Sequence, residues 1–152
     1  MANSSAPPVV IHRISSENIS LLSRLAPDVF DETISDSGLA KFVRISNHAL
    51  YVAVAEGRVV GQARGVIHCQ PDLPSELYVD NLGVTPAYQR GGIATNLLRR
   101  LCKWARKSGC NSMWVATEID NEEGIGFYKS LGLEAATIAY FQAEISGSDS
   151  SI

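Results

Sequence analysis

Gly91 and Gly92 stand where an apolar run over 77–84 gives way, through Pro86 and Gln89-Arg90, to a long periodic segment. In that segment Ile93, Ala94, Leu97, Leu98, Leu101, Trp104 and Ala105 recur at helical spacing. A helix that starts at such glycines offers main-chain N–H groups without partners and the positive end of its dipole. The absence of side chains lets an anion approach them. The chemistry this spacing suits is the holding of a phosphate. It is not a P-loop, because no Gly-x-x-x-x-Gly-Lys-Ser/Thr occurs, and no Gly-x-Gly-x-x-Gly follows the first strand run.

Taken as a unit, LGVTPAYQRGGIATNLL over 82–98 resembles the coenzyme A loop of the GNAT superfamily of N-acetyltransferases. Its signature Q/R-x-x-G-x-G/A stands here as Gln89-Arg90-Gly91-Gly92-Ile93-Ala94. A second motif of that superfamily, N-x-x-A-x-x-F-Y-x-x-x-G-F, is similar to the run from Asn121 through Phe127-Tyr128 to Gly132-Leu133. There Gly124 replaces alanine and Leu133 phenylalanine. The resemblance spans roughly 9–145 and implies acetyl-CoA as acetyl donor with no metal. It places the pyrophosphate on the N–H groups from Arg90 through Gly91, Gly92, Ile93 and Ala94 to Thr95. The pantetheine amides would pair like an added strand with Leu82, Gly83 and Val84. It further implies a bulge near Leu82, a splay from the strand at Met113, and Asn121 steadying the pantetheine. Tyr128 would lie beside the coenzyme sulfur, as proton donor to the departing thiolate.

Acetyl transfer to an amine also needs a neutral amine and a stabilised oxyanion. In ELYVDNLGV the side chains alternate, so Glu76, Tyr78 and Asp80 share one face while Leu77 and Val79 share the other. An acceptor cleft with Asp80 or Glu76 as base accounts for that polar face. The solvated face of an edge strand accounts for it equally. His68 is an alternative base, and Glu118 and Asp120 are candidates for the acceptor side. Cys69, Cys102 and Cys110 carry no adjacent base, so direct attack by the amine is the simpler scheme.

More loosely, the stretches VFD, VVGQARGVIH, PSELYVDNLGV and YQRGGIATNLL resemble type I aminoglycoside 3-N-acetyltransferases. In that family the strand reads E-I-Y-I-Y-D-L-A-V. Glu76, Tyr78, Leu82 and Val84 match it, and its tyrosine-aspartate pair falls on Asp80-Asn81. The acid therefore stands one position earlier, and a bulge decides which face it takes. The resemblance implies a cationic aminoglycoside acceptor, its 3-amino group acetylated, bound by Glu76, Tyr78, Asp80, Asn81 and Glu118, with antibiotic resistance as the outcome. Acids at Asp28, Asp31, Glu32, Asp36 and Asp120 suit a polyamine. A GNAT enzyme for another small or peptide amine, and a silent acyl-CoA-binding domain, are the competing readings.

The elements that must position these residues follow from the rest of the chain. Its 152 residues are the length of one domain, expected over 9–145 between tails at 1–8 and 146–152. Strand runs fall at 9–14, 49–55, 59–68, 77–84, 113–117 and 133–145, with Glu56, Gly57 and Arg58 joining a hairpin. Helices are expected from Ser15 or Ser16 through Ile19, Leu22 and Leu25 to Pro27, over 39–45, from the glycines onward, and over 121–130. This order predicts an α/β (α+β) fold: a GNAT-like mixed, mostly antiparallel sheet with helices on both faces.

Thirteen basic residues against 16 acidic ones give no general attraction to nucleic acid or to a membrane surface. The cluster Arg99, Arg100, Lys103, Arg106 and Lys107 reads as a local anion site or as the solvated face of a helix. No apolar run reaches membrane-span length and the first ten residues lack a leader pattern, so a cytoplasmic location is expected. The odd cysteine count without CxxC spacing argues against a disulfide framework or a zinc site. A homodimer is left open.

Overall fold

The computed structural model describes residues 5–145. Residues 1–4 of the expected N-terminal tail and the expected C-terminal tail at 146–152 lie outside the described residues. The chain divides into two compact units, Met1–Ala116 and Thr117–Ile152.

In the first unit five strands pair in chain order: β1 (Val10–Arg13), β2 (His48–Ala55), β3 (Arg58–His68), β4 (Glu76–Val84) and β5 (Ser112–Val115). All pairs are antiparallel except β4 with β5. Glu56 and Gly57 alone form the β2–β3 turn, both with positive φ (49° and 72°). That is the two-residue hairpin whose twist matches the strands, so Arg58 belongs to β3.

Register assigns the faces. Leu50 lies opposite Arg64 and Val52 opposite Gln62, while Ala49 meets Gly65 and Ala53 meets Gly61. Side chains directly opposite share a face. The glycine face takes α2 (Ile93–Lys107): a β-carbon on Gly65 would come within 2.9 Å of Leu101 and Leu77. The opposite face carries Leu50 and Val52, which pack with Ile14, Leu22, Val29 and Val59 beneath α1 (Asp36–Phe42). Helices thus cover both faces of a mixed, mostly antiparallel sheet.

Two helix expectations are corrected. Residues 15–25 form only a short 3-10 helix, Ile19–Ser23. Ala26 N donates to Val59 O and Val59 N to Arg24 O, both at 2.8 Å, and Leu25 bridges Val59 in parallel. Pairing with β3 outweighs the helical periodicity of Ile19, Leu22 and Leu25. The second helix starts three residues before Leu39, because Ser35 Oγ accepts from Gly38 N at 3.1 Å and caps it there.

In the second unit α3 (Glu122–Ser130) ends where Gly132 takes φ 84°. Gly132 N donates to Lys129 O and Leu133 N to Tyr128 O, closing the last turn. The strand expected over 133–145 is absent: these residues join no ladder among the described residues. A strand needs a hydrogen-bonding neighbour, and among the described residues of this unit α3 is the regular element.

Candidate active site

The ladder between β3 and β4 slips once. Arg64 pairs with Asn81 and Gly65 with Val79, so Asp80 is the extra residue of a bulge. The bulge expected near Leu82 therefore falls two residues earlier. It also corrects the face assignment. Glu76 and Tyr78 face with His68 and Val66, and after the slip Asn81, not Asp80, takes the regular position on that face, opposite Arg64. Asp80 still reaches it, forming an ion pair with Nε of Arg64. Leu82 and Val84 lie opposite Ala63 and Gly61, on the α2 face.

Beside the bulge lies a cavity of about 330 Å³. Leu22, Phe30, Ile34, Leu39, Phe42 and Leu50 make its apolar wall. Asp31, Glu32, Arg64 and Asn81 bring charge and polarity to it, with Thr33 and with Ser35, whose Oγ is spent on the cap of α1. The segment carrying Asp31 is tied to the sheet by a chain of amides. Gln62 Nε2 donates to Val29 O at 3.2 Å and to Asn81 Oδ1, and Asn81 Nδ2 donates to Asp31 Oδ2 at 2.7 Å. Val29 O also sits where a β-carbon on Gly83 would be, 2.8 Å away, so only glycine lets the segment lie this close to β4.

Of the sequence candidates, Asn81 lines this cavity and Asp80 adjoins it through Arg64. Glu76 is at the far end of β4, with Oε1 3.4 Å from Nδ1 of His68. Tyr78 stacks on Trp114 of β5, ring centroids 4.2 Å apart. Sequence reading missed Gln62 and Arg64. Their signal was two polar residues on one face of an otherwise apolar strand, and Gln62 is fully buried.

On the other side of β4, β5 pairs only as far as Val79 opposite Val115. Among the described residues no strand lies beside the edge of Leu82, Gly83 and Val84 that faces away from β3, although Gln89 Nε2 donates to Val84 O at 3.0 Å. The loop then turns through left-handed Arg90 (φ 65°) and Gly92 (φ 82°) into α2. No side chain caps this helix. Its first internal bond comes from Asn96 N to Gly92 O, which leaves the N–H groups of Ile93, Ala94 and Thr95 outside the helical ladder. A β-carbon on Gly92 would meet nothing within 4 Å. Open space at a 15-residue helix start suits an anion. The basic residues Arg99, Arg100, Lys103, Arg106 and Lys107 are all exposed on α2.

In the second unit Asn121 caps α3: Oδ1 accepts from Gly124 N at 3.0 Å and Nδ2 donates to Thr117 Oγ1 at 2.8 Å. Both polar atoms are thus engaged locally. A β-carbon on Gly124 would lie 2.5 Å from Asn121 Nδ2, so a larger residue there would push the end of the Asn121 side chain aside. Tyr128 is half-buried, its ring edge-on to Phe127, and burial pushes its phenol above the ordinary value. A phenol held up in this way keeps its proton through neutral pH and can donate it. Glu118 and Asp120 are exposed and lend their carbonyls to the turn before α3.

The sequence profile of the Acetyltransferase (GNAT) family matches residues 17–133. N-alpha-acetyltransferase RimI of Mycobacterium tuberculosis is 30% identical over 104 residues, covering 68% of this chain and 64% of that protein. The ribosomal protein bS18-alanine N-acetyltransferase of Escherichia coli K12 is 38% identical over 58 residues, 38% of this chain and 39% of that protein. An aminoglycoside N(6')-acetyltransferase type 1 of Acinetobacter haemolyticus is 30% identical over 69 residues, 45% of this chain and 48% of that protein. The chain covers less than two thirds of the length of each. Among solved structures, the soil-metagenome aminoglycoside acetyltransferase meta-AAC0020 in complex with sisomicin superposes with a TM-score of 0.78 at 19% identity, over 91% of this chain and 97% of that one. AAC(6')-Iy in complex with the bisubstrate analogue CoA-S-monomethyl-acetylneamine gives 0.74 at 18% identity, over 91% and 99%. At these identities the structural likeness is one of fold.

Proposed function

The chain belongs to the Acetyltransferase (GNAT) family, and from that premise we propose that it is an acyltransferase that moves the acetyl group of acetyl-CoA onto a primary amine of a small cationic molecule. An aminoglycoside is the acceptor to test first. The observation that carries this reading is the cavity beside the β4 bulge, into which Asp31 and Glu32 bring negative charge while the cation among its described lining residues, Arg64, is paired with Asp80. A polyamine is attracted to such a site.

In this reading the pyrophosphate of the coenzyme lies against the N–H groups of Ile93, Ala94 and Thr95 beyond Gly91 and Gly92. The pantetheine runs along the outer edge of Leu82, Gly83 and Val84, and Tyr128 returns a proton to the thiolate. Bound acetyl-CoA supplies an activated acyl carbon. The acceptor amine, neutralised by Asp80 or by water held near it, attacks that carbon. Among aminoglycoside amines the 6' position comes before the 3-amino group expected from sequence, since the aminoglycoside relative and AAC(6')-Iy are both named for 6' transfer.

A peptide α-amine is the second reading. The named activities of the RimI and bS18-alanine relatives favour it, as does the apolar wall of the cavity. Assay of purified protein for thiol release from acetyl-CoA, with a panel of aminoglycosides and short peptides, separates the two. Turnover confined to peptides would overturn the aminoglycoside reading.

A further inference from the structure

Resting on the reading of that cavity as the acceptor site, we infer that the accepted amine is borne on a hydroxyl-free, largely apolar unit, with Asp31 as its charge anchor. The cavity is divided by chemistry. Its wall of Leu22, Phe30, Ile34, Leu39, Phe42 and Leu50 offers no hydrogen bond to a hydroxyl placed against it. A hydroxyl buried there loses water without compensation, whereas a methylene gains by leaving water. The polar side is held in place: Asn81 fixes one oxygen of Asp31, and Gln62 fixes Asn81. Arg64, the cation in the lining, is engaged by Asp80, and among the described residues no Lys or Arg forms a salt bridge with Asp31 or Glu32, which leaves them open to a cationic ligand. Hydrocarbon on one side and fixed anion on the other select an amine bonded to an apolar group, such as a dideoxy amino sugar or an arylalkylamine.

Two matched pairs test this. Kanamycin B and dibekacin differ by two hydroxyls on the amine-bearing ring, and ethanolamine and phenethylamine contrast a hydroxyl with an aryl group. The expected result is a kcat/KM about 10- to 100-fold higher for dibekacin and for phenethylamine. Leu39→Asn should compress that ratio toward one, and Ile34→Asn, in the loop before α1, supplies the same test if the helix variant does not fold. Asp31→Asn should lower both members of a pair alike, by about tenfold, with the ratio kept. Equal or reversed kcat/KM within the pairs, or no calorimetric binding of any of the four amines, would overturn the inference. Phenethylamine preferred with neither aminoglycoside used would sustain it while removing the aminoglycoside reading. Both aminoglycosides used equally would do the reverse.

Discussion

Asn81 Nδ2 donates to Asp31 Oδ2 at 2.7 Å across 50 residues of sequence, and the Oδ1 of the same amide receives a bond from fully buried Gln62. One side chain therefore joins β3, β4 and the loop that bears the cavity's acid. The bulge at Asp80 is what turns it to that side.

Replacing Asn81 by Leu removes the acceptor for Gln62 and the donor to Asp31. A loss of about 1–3 kcal/mol in stability is expected from the polar groups left without partners. In the surviving fold the KM for the amine should rise with acetyl-CoA affinity unchanged, measured by urea melts and steady-state kinetics. An unaltered KM would detach Asn81 from acceptor binding.

Asp80→Asn keeps the shape of the bulge and frees the charge of Arg64. The pair is about one third exposed, so the effect on stability should stay within about 1 kcal/mol. A positive charge lining the cavity should raise KM for a polycationic acceptor, and kcat should fall as well if Asp80 is the base. Comparing a dication with a monoamine reads the first effect, because repulsion grows with acceptor charge.

Gly92→Asp should abolish coenzyme binding. It adds bulk and a negative charge at the open space before α2, and gives a non-glycine residue a φ of 82°. Calorimetry with acetyl-CoA measures it, and unchanged affinity in a folded variant would remove the loop from the coenzyme site.

Tyr128→Phe should lower kcat by about 10² to 10⁴ while acetyl-CoA affinity holds. Burial raises this phenol above its ordinary 10.0, so the protonated form persists to higher pH. The alkaline fall in kcat that reports its proton should therefore lie above pH 10.0 in the wild type and vanish in the variant. Wild-type turnover from the variant, with chemistry limiting, would rule out this proton donor.

Gly83→Ala forces a β-carbon to within 2.8 Å of the Val29 carbonyl, a backbone atom that cannot rotate away. About 1–3 kcal/mol of stability should be lost, as for other overpacked sites. Recovery of full stability would mean that the 28–32 segment lifts freely from β4. In that case the amide chain to Asp31 should break and acceptor KM should rise.

Sequence by itself determined whatever is local in its physics. Apolar runs wrote β2 and β3, an alternating run wrote β4, 3.6-residue periodicity wrote α2, and the Gln89-Arg90-Gly91-Gly92 turn announced a helix start open to an anion. The Asn121 to Gly132 run marked a helix that the structure forms with the expected stop, while the Asn121 cap came to light only in the structure. Where long-range pairing competes with local preference, sequence was silent or misleading. Residues 24–26 lie along Val59 because β3 offers hydrogen bonds there, and 133–145 has strand composition but no strand neighbour among the described residues of its unit. Simple alternation put Asp80 beside Glu76 and Tyr78. A one-residue slip gave that place to Asn81, paired Asp80 with Arg64 and set Asn81 in the lining of a cavity bounded by Phe30, Leu39 and Phe42. A bulge leaves no mark in composition, since its register is fixed by the strand across from it. The type of residue at the site was therefore written in the chain, and which acid faces the cavity was decided only when β3 and β4 came together.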